Sequence, residues 1–198
     1  MKRLIVFDLD GVIYRGNEVL PSVVDTLAEI RRRDIMVRFL TNNSTKSRKS
    51  YSEKMRKMGI NAQESEIVSS PYATAWYLRK HASKNTKVYM IGEDGLREEL
   101  KDVCTIVDEE HYHLAEYVVV GLDMEFTYKK LSSAASAIHN GAKFIATNKD
   151  PTYPDSGGTT IPGGGAIVAA VETATGVKPL LIGKPEPLMM ELLLDTAD

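Results

Sequence analysis

Residues 2–19 read KRLIVFDLDGVIYRGNEV. Leu4, Ile5, Val6 and Phe7 form a short continuous apolar run, the pattern of a strand buried on both faces. Asp8 and Asp10 follow at its end, and Asp10-Gly11 is a turn signal. A plain strand-to-turn transition accounts for Gly11 and for one acid. Two carboxylates at the mouth of a sheet repel each other unless a cation lies between them. A calcium loop also carries Asp-x-Asp, but it needs an oxygen ligand at its fifth position and Gly at its sixth. Val12 holds the fifth position here and Gly11 arrives too early. What remains is a hard cation with few protein ligands, Mg²⁺.

Outward from this stretch, strands and helices alternate. Residues 22–32 place Val23, Leu27 and Ile30 at helical spacing, and residues 35–40 (IMVRFL) read as a second strand. Residues 45–59 read as a polar, basic helix closing at Gly59, residues 65–68 as a short strand, and residues 71–82 as a helix. The pattern restarts near residue 82, with strands at 87–91, 116–122 and 142–146 and helices at 94–102 and 127–141. The Pro- and Gly-rich stretch 147–165 is longer than a structural connection requires and is expected to carry function. A helix over 166–176 and a short strand over 179–183 follow. This alternation, read without two-residue hairpin signals, predicts an α/β fold with parallel pairing through helical crossovers.

Composition narrows the function classes. The chain has 198 residues, 43% hydrophobic and 26% charged, as in an ordinary globular protein. Its 25 Lys and Arg against 27 Asp and Glu give a net charge of −2, so no global basic field points to nucleic acid. Arg31-Arg32-Arg33 reads as a solvated helix end. A lone cysteine, Cys104, excludes an intramolecular disulfide framework and fits a reducing interior. No apolar stretch approaches 18 residues and no signal peptide precedes the first strand, so no membrane span is expected and the expected compartment is the cytoplasm.

Two further segments carry chemistry. FLTNNS (39–44) ends the second strand in Thr41, Asn42 and Asn43, neutral hydrogen-bonding groups suited to an oxyanion. LIGKPEP (181–187) puts Lys184 after another short strand, where it can clamp a phosphate opposite two carboxylates. IPGGGAI lacks both the Lys-Ser/Thr of a P-loop and the third Gly of the dinucleotide fingerprint, and reads as a tight turn. His111 and His113 have no third metal-ligating neighbour and read as a solvated loop, while Trp76 and Met55, Met58, Met189 and Met190 read as core.

The set resembles the haloacid dehalogenase superfamily, and more narrowly its 4-nitrophenylphosphatase or NagD-like branch. The resemblance is carried across the chain by FDLDGVIYRGNE, FLTNNS, SSPYATAWYL, YMIGEDGLREEL, VVVGLD, FIATNKDPTYP, IPGGGAIVAAVETATG and GKPEP. It implies a Rossmann-like parallel core over 1–81 and 179–198, with an inserted α/β cap over 82–178. Asp8 would be the nucleophile that forms an aspartyl phosphate, and Asp10 the general acid and then base. The Asp8 carboxylate and the Asp10 carbonyl would hold Mg²⁺. Thr41, Asn42, Asn43 and Lys184 would hold the phosphoryl group, with Gly11 keeping side-chain bulk off the turn. Asn148, Tyr153 and Pro154 would carry specificity from the cap. The expected partner is a small phosphorylated metabolite, and a homodimer through the cap is expected. Carbon–halogen cleavage needs no acid/base at the second carboxylate, so Asp10 argues for a phosphatase.

The superfamily has a fourth motif, Gly-Asp and a further Asp after one more strand, which completes the metal shell. No Gly-Asp pair follows Lys184, and Asp195 and Asp198 lie on or beyond a helix. The C-terminal part of the core therefore reads as incomplete, and the 198 residues taken by themselves are expected to lack one metal ligand, to bind Mg²⁺ poorly, to hydrolyse slowly and to expose an apolar edge. A catalytically impaired phosphate-binding module stands as the alternative.

Overall fold

In the computed structural model, which describes residues 3–154 and 159–196, the opening apolar run forms strand β1 (Arg3–Asp8). A hairpin follows, β2 (Tyr14–Arg15) with β3 (Glu18–Val19). Helix α1 (Val23–Arg32), strand β4 (Ile35–Thr41), helix α2 (Arg48–Lys57), strand β5 (Ile67–Ser69) and helix α3 (Ser70–His81) come next. The three long-range strands pair in parallel in the order β1-β4-β5. Asp8 lies opposite Leu40 and Thr41 opposite Ser69, so their polar ends gather at one edge. Reactive groups collect at this carboxyl edge in open α/β sheets.

The second run comprises β6 (Lys87–Ile91), α4 (Asp94–Leu100), β7 (Thr105–Val107), β8 (Tyr117–Val120), α5 (Tyr128–His139) and β9 (Lys143–Ala146). A second hairpin, β10 (Thr152–Pro154) with β11 (Thr160–Pro162), precedes α6 (Gly164–Thr175), β12 (Leu180–Leu181) and α7 (Leu188–Asp195). A five-stranded sheet, parallel throughout, runs β12-β9-β8-β6-β7. One face packs Val118, Val120 and Phe144 with Ala134, Ile167 and Val168 of α5 and α6. The other face joins Val88, Val119 and Ile145 to Leu78, Leu96, Met189 and Leu192, in a cluster that also takes in Leu40 and Val68 of the first sheet. Each such side chain contributes roughly 1.5–3 kcal/mol when fully buried, so this shared cluster holds the two sheets together.

Four features depart from the sequence reading. Gly16-Asn17 is a two-residue hairpin signal after all, and Gly16 adopts φ +55 between β2 and β3. Strand β12, read with the core segment 179–198, hydrogen-bonds to β9 in the second sheet. Met190 is 43% exposed on α7, whereas Met55 and Met189 are fully buried. Strand β1 pairs only with β4 among the described residues, and its apolar run is half-buried rather than buried on both faces. Among the described residues, no helix is long and apolar enough to cross a membrane.

Candidate active site

A cleft of about 380 Å³ lies between the carboxyl edge of the first sheet and the hairpin side of the second. Asp8, Asp10 and residues Thr41, Asn42, Asn43 and Ser44 line one wall; Leu122, Asn148, Asp150, Tyr153, Gly164 and Lys184 line the other. Asp8 ends β1; its Oδ1 accepts from the Leu9 N–H at 2.8 Å and forms an ion pair with Lys184 Nζ at 3.0 Å. The Asp8 side chain remains 45% exposed, enough for its other oxygen to meet a ligand. Lys184 Nζ also donates to the Leu40 carbonyl at 3.3 Å. The ammonium thus neutralises the carboxylate that an anionic substrate must approach.

Lys184 is held in place by Asn42. The Lys184 N–H donates to Asn42 Oδ1 at 2.7 Å, and Asn42 Nδ2 donates to the Lys184 carbonyl at 3.0 Å. The second hydrogen on Asn42 Nδ2 goes to Asp150 Oδ1 at 3.1 Å. Both amide hydrogens are therefore committed to protein acceptors, and the side chain clamps the two walls together. A Cβ on Gly183 would lie 2.6 Å from the Thr147 carbonyl and 2.8 Å from Asn42 Oδ1, so a side chain there would press on the backbone and on that clamp. Asn148 does similar work: its Nδ2 donates to the Asn42 carbonyl at 2.9 Å, and its Oδ1 accepts from the Asp150 N–H at 3.1 Å. Its amide thus fastens the seam from the cleft wall.

Asp10 sits on the turn beyond β1, bridged to Tyr14. The residue keeps surface at the cleft mouth, yet the protein packed around its carboxyl pushes its pKa up. The neighbouring Asp8 charge adds to that rise, while Lys54, an Asn43 hydrogen bond and Lys46 oppose it. A carboxyl whose pKa is raised gives up its proton less readily in the resting site, the direction that general acid work needs. Asn43 Nδ2 also donates to the Tyr153 hydroxyl at 3.4 Å, linking the cap-side aromatic to the acid. Thr41 is buried, and its Oγ1 accepts from the Asn43 N–H at 3.2 Å.

The remaining expected residues fare differently. Gly11 does not line the cleft, and its N–H donates to the Tyr14 carbonyl at 2.8 Å. Open space surrounds the position of its missing Cβ, so φ +79 is what demands glycine, not bulk. Pro154 ends β10, and its side chain lies outside the described residues, as does Asp198. The sequence reading missed Asp150 and Ser44. Ser44 Oγ accepts from the Leu122 N–H at 3.0 Å and fastens the walls together. Asp-Pro at 150–151 in the long loop was the one local hint of Asp150.

Asp8 and Asp10 offer hard oxygen donors, the type that suits Mg²⁺, which takes one or two carboxylates and completes its shell with water and substrate phosphate. Among the described residues, no group of three or more His, Cys, Asp or Glu side chains is placed to hold a metal. The donors fit the ion and supply part of its shell.

Comparison with known proteins places this geometry. The profile of the haloacid dehalogenase-like hydrolases matches residues 5–104. An acid sugar phosphatase of Staphylococcus saprophyticus is 40% identical over 193 residues, spanning 98% of this chain and 73% of the relative. The p-nitrophenyl phosphatase from Archaeoglobus fulgidus is 35% identical with a TM-score of 0.90, covering 99% of this chain and 74% of that one. A glycerol phosphate phosphatase from Mycobacterium tuberculosis, solved with magnesium, is 30% identical with a TM-score of 0.91 over all of this chain and 59% of its own. The chain belongs to the haloacid dehalogenase-like hydrolase family.

Proposed function

We propose that the protein is a phosphatase that hydrolyses small phosphomonoesters through an aspartyl phosphate on Asp8, with Mg²⁺ as its metal. The observation that carries the reading is the Lys184–Asp8 contact at 3.0 Å beside a second carboxyl, Asp10, whose pKa burial raises. Asp8 attacks phosphorus, the bond to the alcohol oxygen breaks, and Asp10 gives that oxygen its proton. Water then attacks the acyl phosphate, Asp10 takes up the water's proton, and inorganic phosphate leaves with Asp8 restored. Lys184 offsets charge on the transferring group throughout. Mg²⁺, held by the Asp8 carboxylate and the Asp10 carbonyl, would supply additional positive charge at the phosphoryl oxygens.

The same proposal divides the chain into a core and a cap near residue 82, with the return placed after β12 because that strand pairs in the second sheet. It includes a homodimer through the cap, supported by exposed Met124 and Tyr128 beside a groove lined by Phe126, Ile161 and Ile167. It also sets the protein in the cytoplasm, which suits a single, buried Cys104.

Phosphate release from 4-nitrophenyl phosphate with Mg²⁺ tests the reading. Asp8→Asn is expected to lower turnover at least ~10³-fold. The alternative, a phosphate-binding module, is favoured by the absence of a three-acid cluster among the described residues. If parent and variant are equally inert, that alternative replaces the phosphatase.

A further inference from the structure

We propose that the cleft takes phosphomonoesters whose alcohol portion carries a second anionic group, a carboxylate or another phosphate, seated by Lys46, Lys54 and Lys57. This inference rests on the phosphatase reading above. A second pocket of about 560 Å³ opens beside the β2–β3 hairpin, lined by these three lysines together with Asn17 and Glu53. Three ammonium groups there face one carboxylate. Among the described residues, none of the three lysines forms an ion pair.

The pocket shares no lining residue with the cleft, and two links tie it to the reacting end. Lys46 follows the cleft-lining Ser44 by two residues. Lys54 is half-buried, with its ammonium 3.8 Å from the centroid of the Tyr14 ring, and Tyr14 is bridged to Asp10. Both ammonium groups act on the Asp10 carboxyl and oppose the rise that burial causes. Burial and the Lys46 charge together push Lys54 down, the sign of like charges held close.

Direction follows from chemistry. Asp10 protonates the leaving oxygen, so the alcohol portion departs on the Asp10 side. The cations that reach Asp10 are those the alcohol portion meets first. A neutral alcohol leaves these ammonium groups with only Glu53 to balance them, while a carboxylate or phosphate forms charge-assisted hydrogen bonds with them.

Matched esters test this in the full chain carrying Asp8→Asn, which binds without turning over. Affinities for 2-phosphoglycolate, propane-1,3-diol bisphosphate and the neutral 2-hydroxyethyl phosphate are measured by calorimetry with Mg²⁺ present. At least one dianionic-type ester is expected to bind about tenfold tighter than the neutral one, the size that two partly exposed charge pairs supply. Which ester shows the preference tells carboxylate from phosphate. Adding Lys46→Gln and Lys54→Gln is expected to bring the ratio close to one. Lys46→Gln alone, at an exposed position with no packing role, is expected to lower the ratio roughly threefold. Equal affinity for all three esters, or an equal loss for all three in the lysine variants, overturns the inference. Failure of every ester to bind likewise overturns the inference, and phosphate release by the parent chain, read separately, decides the phosphatase reading in every case.

Discussion

Strands β1 and β8 carry similar sequence, Leu-Ile-Val-Phe and Tyr-Val-Val-Val, in opposite situations. β8 is flanked by β6 and β9, and all four of its residues are buried. β1 has one neighbour among the described residues, and its apolar run is half-buried. The nucleophile candidate hangs from the less anchored strand, while the ammonium facing it comes from the loop after β12 on the other sheet. An apolar run therefore reports that a segment is a strand, not how deeply it sits. The site is also only as well formed as the seam that brings the two sheets together.

After loss of the nucleophile itself, the largest expected effect removes the side chain that spans that seam. Lys184→Met leaves Asp8 and the incoming phosphate unneutralised, and kcat/KM for phosphate release should fall by up to ~10³-fold. Next comes the acid. Asp10→Asn should slow alkyl phosphomonoesters by roughly 10²-fold, while 4-nitrophenyl phosphate, whose leaving group needs little protonation, should lose far less. An equal loss on both esters would refute the general-acid role.

The strand contrast itself is open to a paired measurement of unfolding by urea. Val119→Ala, in fully buried β8, should cost about 2 kcal/mol, and Val6→Ala, in β1, less than ~1 kcal/mol. Equal costs would show that β1 is covered as fully as β8. The smallest effect concerns Asp10 and pH. Its raised folded-state pKa means that the folded chain holds this proton more tightly than the unfolded chain. The stability this provides is complete below the ordinary value of 3.8 and is lost as pH rises through the folded value. The neutral isostere in Asp10→Asn escapes that loss. Its Tm should exceed the parent's slightly at pH 7, with the gap closing below about pH 4.

Most strands and helices were legible in the sequence, because apolar spacing records which side of a segment is buried. The Asp8–Asp10 pair at the end of β1 and the long loop that forms the opposite wall were legible for the same local reason. Even there one signal was passed over: Gly16-Asn17 marks a hairpin that the alternation of larger elements obscured. The role of Asn42 was not legible. Thr-Asn-Asn at a strand end suggests an oxyanion hole, and nothing nearby in the chain announces a partner 142 residues away.

By itself, then, the sequence determined the alternating α/β elements, the paired carboxylates at a strand end and the lysine suited to face them. Only the tertiary structure decided that β12 joins the second sheet, that Asn42 and Asn148 fasten the two walls to each other, and that burial pushes the Asp10 carboxyl up. The reason is that inter-strand bonds are made by backbone groups common to all residues, and that desolvation depends on whatever else packs nearby. Neither is written in the spacing of side chains along the chain.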